Sequence, residues 1–385
     1  MKYSFSTPAV AVLLCVMALA GCASNPNAIE PNPLPDFDKR FNVDRLWRSG
    51  AGDGVDESAM KLRPAVTAQR VFAADVHGRV YAFNRENGKR QWRSKTKDRI
   101  SGGLYAGYGQ VLYGTREGEA VALDAETGDE LWRARVSSEV LAPPTSDGLL
   151  TIFQTIDGHV LALDAETGEQ RWDYETTVPN LTLLGGTQPV IESGRVYAGF
   201  ASGKVAAIEL DTGAPLWERR VAEPTGRSEL DRLVDVDSSL LVENGGVFTA
   251  TFQGKLAVLD WDNGRPYWAK DISTHQEISS YLSTVFVADS EGLVRGAEQR
   301  SGTFLWQQDK LYGRRLTGTA VQDGLVVVGD YEGYLHWMDS ETGELVARYR
   351  DNRSGFADTP VVYDDVLYAL SADGKLAAYK VEARD

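Results

Sequence analysis

One short pattern recurs along almost the whole chain, and it limits the fold more than any other feature of the sequence. Each copy holds two apolar segments around a turn that contains a glycine, as in Val71-Phe72-Ala73-Ala74 and Gly78-Arg79-Val80-Tyr81-Ala82-Phe83. The equivalent glycines, 38 to 51 residues apart, are Gly78, Gly118, Gly158, Gly203, Gly254, Gly292, Gly333 and Gly374. A period of about 40–45 residues with short strands is typical of propeller blades. The eight copies therefore predict an all-β fold, an eight-bladed β-propeller with four-stranded blades.

The best preserved part of the repeat is Ala122-Leu123-Asp124-Ala125-Glu126-Thr127-Gly128, followed by Trp132, and residues 162–168 repeat those seven letters before Trp172. The Asp can accept hydrogen bonds from the turn, and the Gly can adopt a left-handed conformation. The Trp falls on the next, outermost strand, where it can bury about 150–250 Å² against the neighbouring blade. In the seventh copy we expect Val346 at the place of this Trp.

The last copy is one strand short, because it stops after Lys375-Leu376-Ala377-Ala378-Tyr379-Lys380. The segment Asp44-Arg45-Leu46-Trp47-Arg48 has the character of the missing Trp-bearing strand. We therefore predict that this N-terminal strand completes the eighth blade and closes the ring, which protects strand edges from unwanted pairing. Residues 41–385 are predicted to form one domain, because each blade packs on its neighbours.

The N-terminus has the pattern of a bacterial export signal. Lys2 precedes an apolar run from Ala9 to Ala20, which is too short to span a bilayer unaided. Leu19-Ala20-Gly21-Cys22 closes the run and resembles a bacterial lipoprotein box, in which the Cys is lipidated and becomes the first mature residue. Residues 1–21 are thus predicted to be a signal peptide and Cys22 a lipid anchor. Position 23 is Ala instead of the Asp that signals inner-membrane retention, which implies the outer membrane and its periplasmic face.

Residues 22–40 are predicted to be the lipidated Cys followed by an extended tether, because Pro26, Pro31, Pro33 and Pro35 fall within them. A proline-rich segment extends by about 3.1 Å per residue, or roughly 50 Å here.

The sequence offers no candidate for catalysis. The formal net charge is -15 and no basic stripe occurs, which argues against nucleic-acid binding. Cys15 and Cys22 are the only cysteines, and no histidine pair has metal-ligand spacing. His77 and His159 fall in predicted blade turns, and we interpret the histidines as solvated turn residues. No Gly-x-Ser-x-Gly motif is present. We predict neither a metal, nor a cofactor, nor an enzymatic activity.

Function is expected where the repeat is interrupted. The glycine spacing rises to 45 after Gly158 and to 51 after Gly203, and the extra residues follow Trp172 and Trp217. Connections from an outer strand to the next inner strand emerge on one face of a propeller, and loops carry function more often than the scaffold. One loop holds three leucines at 181, 183 and 184, and the other, residues 228–237, holds four acids and Arg232. An apolar patch rimmed by carboxylates is typical of a protein-binding site.

Several of these features together resemble the outer-membrane protein assembly lipoproteins of the BamB family. The resemblance covers nearly all of the mature chain. It rests on the lipoprotein box, the eight repeats, residues 226–237 (GRSELDRLVDVD) and residues 329–337 (GDYEGYLHW).

This resemblance implies a non-catalytic scaffold of the β-barrel assembly (BAM) complex. Such a scaffold docks on the periplasmic POTRA domains of BamA and aids the folding and insertion of unfolded outer-membrane protein clients. Leu181, Leu183, Asp235 and Asp237 match family contact residues by position, and Leu184 and Arg232 complete the predicted partner-binding set. Position 184 departs from the family, in which an Arg occurs, so this Leu is expected to add apolar area instead of a charge.

Two alternatives remain open at this stage. The repeat also resembles the blade motif of quinoprotein dehydrogenases, which bind pyrroloquinoline quinone and calcium at the propeller centre. The adjacent cysteine pair of those enzymes is missing here, and no calcium-ligand set is evident. The other alternative is a periplasmic propeller that binds a different partner, such as an envelope glycan.

Overall fold

The fold is an eight-bladed β-propeller. In the computed structural model, residues 29–55, 62–179, 186–223, 234–236 and 238–384 are described, and they contain strands, turns and irregular segments but no helix. Eight antiparallel four-stranded sheets form the blades, and in seven of them the strands follow one another in chain order from the centre outwards. The predicted fold class is thus confirmed.

The first four blades comprise β2 (Ala65–Val66), β3 (Arg70–Ala74), β4 (Arg79–Asn84) and β5 (Arg90–Lys95); β6 (Ile100–Gly107), β7 (Gln110–Thr115), β8 (Glu119–Asp124) and β9 (Glu130–Arg135); β10 (Thr145–Ser146), β11 (Leu150–Gln154), β12 (His159–Asp164) and β13 (Gln170–Glu175); and β14 (Val190–Glu192), β15 (Arg195–Gly199), β16 (Lys204–Glu209) and β17 (Pro215–Arg220).

The last four comprise β18 (Leu241–Glu243), β19 (Gly246–Ala250), β20 (Gly254–Asp260) and β21 (Pro266–Ile272); β22 (Ser279–Tyr281), β23 (Thr284–Ala288), β24 (Val294–Glu298) and β25 (Phe304–Gln308); β26 (Ala320–Gln322), β27 (Leu325–Gly329), β28 (Tyr334–Asp339) and β29 (Leu345–Arg350); and β30 (Val361–Tyr363), β31 (Val366–Leu370), β32 (Lys375–Ala383) and β1 (Phe41–Gly50).

The hydrophobic core lies between adjacent blades. Because both faces of a blade are covered by neighbours, its third strand is buried on both sides, as Val80, Tyr81, Ala82 and Phe83 are in β4. The outermost strand is covered on one side only and alternates between exposed and buried residues, as in β13. The two strands therefore differ in pattern although they belong to the same sheet.

At seven of the eight junctions a recurring Trp joins one blade to the next. In β13, Trp172 pairs with Ala162 beside a β-bulge, a feature that redirects a side chain out of the regular pleat. Its indole Nε1 donates a 2.7 Å hydrogen bond to the main-chain oxygen of Leu210 in the next blade. Equivalent indole bonds of 2.8 to 3.1 Å come from Trp47, Trp92, Trp132, Trp217, Trp268 and Trp306.

The seventh blade corrects one sequence prediction. The strand register places Ala347 opposite Trp337, so Ala347 stands where the other blades have Trp, and Val346 is the extra residue in the bulge. Val346 was assigned to that position by sequence and is one residue off. The loss of the Trp has a physical reason: in the eighth blade β32 and β1 come from opposite ends of the chain, so no turn offers the glycine that would receive the ring.

The ring is closed by the N-terminal strand, as predicted. β1 pairs with β32 from Phe41 opposite Ala383 to Gly50 opposite Lys375. Trp47 then bonds to the first blade through the main-chain oxygen of Arg85, at 2.8 Å. Closure thus uses the same Trp contact as six of the other junctions, with a strand from the other end of the chain.

Candidate functional site

One face of the propeller, here called the connection face, carries both the blade-to-blade connections and the turns between second and third strands. In the third blade the amide of Thr176, just after β13, donates to the oxygen of Gly158 in that turn, at 3.0 Å. In the fourth blade Val221 donates to Gly203 at 2.7 Å. Each connection is therefore held against the turn of its own blade before it crosses to the next inner strand.

The two longest blade-to-blade connections, residues 176–189 and 221–240, follow β13 and β17. They are neighbours around the ring and share the connection face. Most of the predicted site lies outside the described residues: Cys22, Leu181, Leu183, Leu184, Arg232 and Asp237. The described parts are the ends of the two connections, and these show how the loops are supported.

The C-terminal ends of the two connections are bonded to each other. The hydroxyl of Thr187 donates a 2.5 Å hydrogen bond to the main-chain oxygen of Val236. Gly199 of β15 makes room for this contact, because a Cβ there would lie 2.5 Å from Val236 Cγ1 and 3.0 Å from Thr187 Oγ1. Thr187 and Val236 are almost fully buried, so the described C-terminal ends of the two connections share one packed base.

Asp235 is the one predicted contact residue that the structure describes, and only 3% of it is exposed. Its main-chain oxygen accepts a 3.0 Å bond from the amide of Phe252, and the amide of the next residue, Val236, bonds to Phe200 at 3.2 Å. A cavity of about 30 Å³, lined in part by Asp235 and Gln154, lies at this base. That is room for about one or two water molecules. A direct contact between the Asp235 carboxylate and a partner therefore stays a prediction.

Glu218 of β17 fixes the start of the first connection to the next blade. Its Oε2 accepts hydrogen bonds from Tyr174 at 2.9 Å and from Thr176 at 2.6 Å, and Lys204 lies 2.9 Å from its Oε1. Burial alone would raise the pKa of Glu218, but the bonds from Thr176, Lys204 and Tyr174 lower it below its ordinary value. The carboxylate is therefore ionised at neutral pH and holds both blades.

The interpretation of the histidines as solvated turn residues is wrong for two of them. His336 lies in β28, is fully buried, and its Nε2 is 2.9 Å from Oδ2 of the equally buried Asp330. His159 lies at the start of β12, with Nδ1 2.8 Å from Asp173. His77 is in a turn and exposed. Burial between blades depends on contacts across the ring, which the local text around a histidine does not reveal.

Arg63 spans the central channel and was not singled out by sequence. It precedes the first blade, yet its Nη1 lies 2.5 Å from Glu277 of the sixth blade and its Nη2 bonds to Gln188 of the fourth at 2.6 Å. Burial alone would lower the pKa of Arg63, but the charges of Glu277 and Asp358 raise it. Arg63, Gln188 and Glu277 line the same channel, which has a volume of about 470 Å³.

Within the described residues, no group of three or more His, Cys, Asp or Glu side chains is placed to hold a metal ion. No helix of that part of the chain is long and apolar enough to cross a membrane.

Comparison with known proteins gives consistent results over nearly the full length. A family model described as "Outer membrane protein assembly factor BamB" matches residues 76–308 and 290–385. A protein of that name from Pseudomonas aeruginosa is 46% identical over 372 residues, which cover 96% of this chain and 98% of the relative. The protein of that name from Escherichia coli K12 is 34% identical over 375 residues, 94% of this chain and 96% of its own.

Solved structures share the architecture. The crystal structure of BamB from Moraxella catarrhalis superposes with a TM-score of 0.80 at 27% identity and covers 88% of this chain and 100% of its own. A quinohemoprotein alcohol dehydrogenase from Comamonas testosteroni gives a TM-score of 0.71 at 15% identity, with 89% of this chain and 77% of the enzyme covered. At that identity the second likeness concerns the fold alone.

Proposed function

The chain belongs to the BamB family of outer membrane protein assembly factors, and we propose that it is a non-catalytic scaffold subunit of the BAM complex that docks on the POTRA domains of BamA through its connection face. The observation that carries this proposal is the common base of the two longest connections, where Thr187 bonds to Val236. A shared, buried base holds two adjacent loops in a fixed relation, as an interface with a rigid partner requires.

The residues predicted to make the contact are chemically suited to it. Leu181, Leu183 and Leu184 would supply apolar anchors, whereas Arg232 and Asp237 would orient a polar partner. Asp235, being buried, would act by holding the second loop in place.

Calorimetry tests the docking directly. Residues 23–385 are titrated with the isolated POTRA domains of the same organism's BamA, as wild type and as the Leu183→Ala and Asp237→Ala variants. Leu149→Ala is the matched control, because Leu149 is 77% exposed and lies between the first and second strands of its blade, on the opposite face. We expect weaker binding for the two loop variants alone. Equal binding by all four proteins would place the contact elsewhere.

The non-catalytic part of the proposal is supported by Arg63. Its bonds to Glu277 and Gln188 place a paired cationic side chain across the central channel, the region where quinoproteins hold their cofactor. After the purified protein is mixed with pyrroloquinoline quinone and Ca²⁺ and passed through a gel-filtration column, the protein fraction should show no quinone absorbance. Co-elution of the quinone with the protein would contradict this part.

Lipidation of Cys22 would place the protein at the periplasmic face of the outer membrane. In that case Cys22→Ser, with residues 1–21 replaced by an export signal whose removal does not need the Cys, should move the protein from the membrane fraction to the soluble periplasm without loss of fold. Retention of the variant in the membrane fraction would argue against the anchor.

Clients could be held by strand addition, since the outermost strand of a blade pairs on one side only, as β13 and β17 do. Hydrogen exchange with and without an unfolded outer-membrane protein segment tests this idea. Added protection along β13 or β17 is expected, and unchanged exchange in every outer strand would refute it.

A further inference from the structure

The segment before β1 lies against the seventh blade. Asn32 is bonded on both sides: its amide donates to Tyr312 at 2.9 Å and its side chain to Asp309 at 3.2 Å, both main-chain oxygens in the connection between the sixth and seventh blades. Further along, Arg348 of β29 donates a 3.0 Å bond to the oxygen of Pro35 and covers the ring of Phe37 at 5.2 Å. Residues 29–40 thus follow the blade instead of leaving it.

Arg314 fastens the far end of this segment. Its Nη1 donates a 3.1 Å bond to the oxygen of Asn32, while its Nε donates a 2.9 Å bond to Asp330. Glu332 pairs with the same guanidinium, and His336 bonds to Asp330 from behind. Arg314, Asp330 and His336 are almost completely buried. A buried, fully engaged guanidinium has few alternative positions, so the main-chain oxygen that it binds is held firmly.

The first docked residues also pack closely on this connection. A Cβ at Gly313 would lie 2.8 Å from Pro31 Cα and 2.9 Å from Ile29 Cγ2, which shows that the N-terminal segment passes directly over the glycine. The contact therefore reaches back to Ile29, the first residue that the structure describes.

Covalent geometry then limits the distance to the anchor. Cys22 and Ile29 are seven residues apart in the sequence, and a chain extends by at most 3.3–3.6 Å per residue, so the two lie no more than about 25 Å from each other. If Cys22 carries lipid, the junction of the sixth and seventh blades cannot be farther than that from the bilayer surface.

We infer that this docked segment orients the propeller, with the edge at the junction of the sixth and seventh blades facing the lipid surface. The inference rests on the proposed lipidation of Cys22. The two long connections leave the third and fourth blades, three and two blades around the ring from that junction, so they are held away from the lipid surface. The cluster around Arg314 is then a positioning element for the whole protein.

Energy transfer from a protein-bound dye to the membrane tests the orientation. The mature chain has Cys22 as its only cysteine, so an introduced cysteine is the only free thiol of the lipidated protein. Lys310→Cys labels the connection between the sixth and seventh blades, and Ser137→Cys labels the corresponding connection between the second and third, four blades away around the ring. Both side chains are exposed. The lipidated proteins are bound to phosphatidylethanolamine–phosphatidylglycerol vesicles that contain an acceptor lipid.

We expect higher transfer from position 310 than from position 137. Equal transfer, or higher transfer from position 137, would overturn the inference. Arg314→Gln should reduce the difference because it releases Asn32. A flexible insertion of ten Gly and Ser residues after Ser24 leaves every described contact intact and should abolish the difference too, which keeps the test valid if Arg314→Gln fails to fold.

The anchor and the orientation can fail separately. Vesicle binding that survives Cys22→Ser would contradict the proposed anchor, and the orientation with it. Vesicle binding that requires Cys22, together with equal transfer from the two positions, would leave the anchor intact and refute the orientation alone.

Discussion

Trp172 of the third blade lies so close over Gly213 of the fourth that a Cβ on the glycine would be 2.7 Å from the indole ring. The same relationship recurs at Trp132 and Gly168 and at Trp217 and Gly264. The glycine of the repeated turn is thus needed twice, for its left-handed backbone and for the contact with the ring.

Gly213→Ala should destabilise the protein more than Gly194→Ala. The two glycines belong to the same blade and have nearly the same φ, 74° and 73°, but nothing lies within 4 Å of a Cβ at Gly194. Gly194→Ala should cost only the backbone strain of about 1–2 kcal/mol. At Gly213 overpacking against Trp172 should add about 1–3 kcal/mol. Urea unfolding measures both, and equal losses would show that the ring yields without cost.

Asp164 should contribute stability that acid removes. Its Oδ2 accepts a 2.5 Å bond from Arg171 and its Oδ1 accepts the amides of Glu166 and Thr167. The bond from Arg171 and those from the turn lower the pKa of Asp164 from 3.8 to about 2. Because the folded-state pKa lies below the unfolded one, the stabilisation is complete above the unfolded value and is lost as the pH falls towards 2.

Asp164→Asn isolates this effect, since Asn84 at the same position of the first blade makes the two amide contacts without a charge. The stability advantage of wild type over Asp164→Asn should shrink between about pH 4 and pH 2, as thermal unfolding would show. Glu166→Gln removes a charge from the same turn without touching these bonds and should leave the acid profile unchanged. A pH-independent difference for Asp164→Asn would refute the assignment.

Thr187→Val should weaken both the fold and the binding of POTRA domains. The variant keeps the shape of the side chain but removes the donor to Val236, which leaves a buried carbonyl unpaired at a cost of about 1–3 kcal/mol. Thr187→Ser keeps the hydroxyl and should bind nearly as well as wild type. Unfolding and calorimetry on both variants measure the two effects. Unchanged affinity in Thr187→Val would mean that the loops do not depend on their common base.

Arg63 and Glu277 should be coupled energetically. In a double-mutant cycle, the stability lost in the Arg63→Ala, Glu277→Ala double variant should be about 1–3 kcal/mol smaller than the sum of the losses in the two single variants. The reason is that each single change leaves a charge unpaired in the channel. Lys255 and Asp271, at a similar distance of 2.6 Å but 39% and 91% exposed, form the control pair, with an expected coupling below about 1 kcal/mol. Similar couplings for the two pairs would show that the channel is as well solvated as the surface.

The sequence by itself determined the number of blades, the place of the Trp contacts and the closure by the strand that contains Trp47. Each of these follows from a local requirement: a turn needs Asp and Gly, and an outer strand needs a large apolar side chain. Because the pattern occurs in eight copies, it is distinguishable from a chance similarity. The exchange of Ala347 for Val346 shows the limit of this reasoning, because a bulge shifts the register by one residue and only strand pairing reveals it.

Only the tertiary structure reveals the contacts that do not recur from blade to blade. Thr187 bonds to Val236, and Arg63 contacts Glu277, although the members of each pair lie far apart in the chain. Asp235 and His336 are buried. None of these features recurs from blade to blade, so the repeat in the sequence does not predict them. Their energies come from burial and from pairing across the ring, which arise only when the eight blades are assembled.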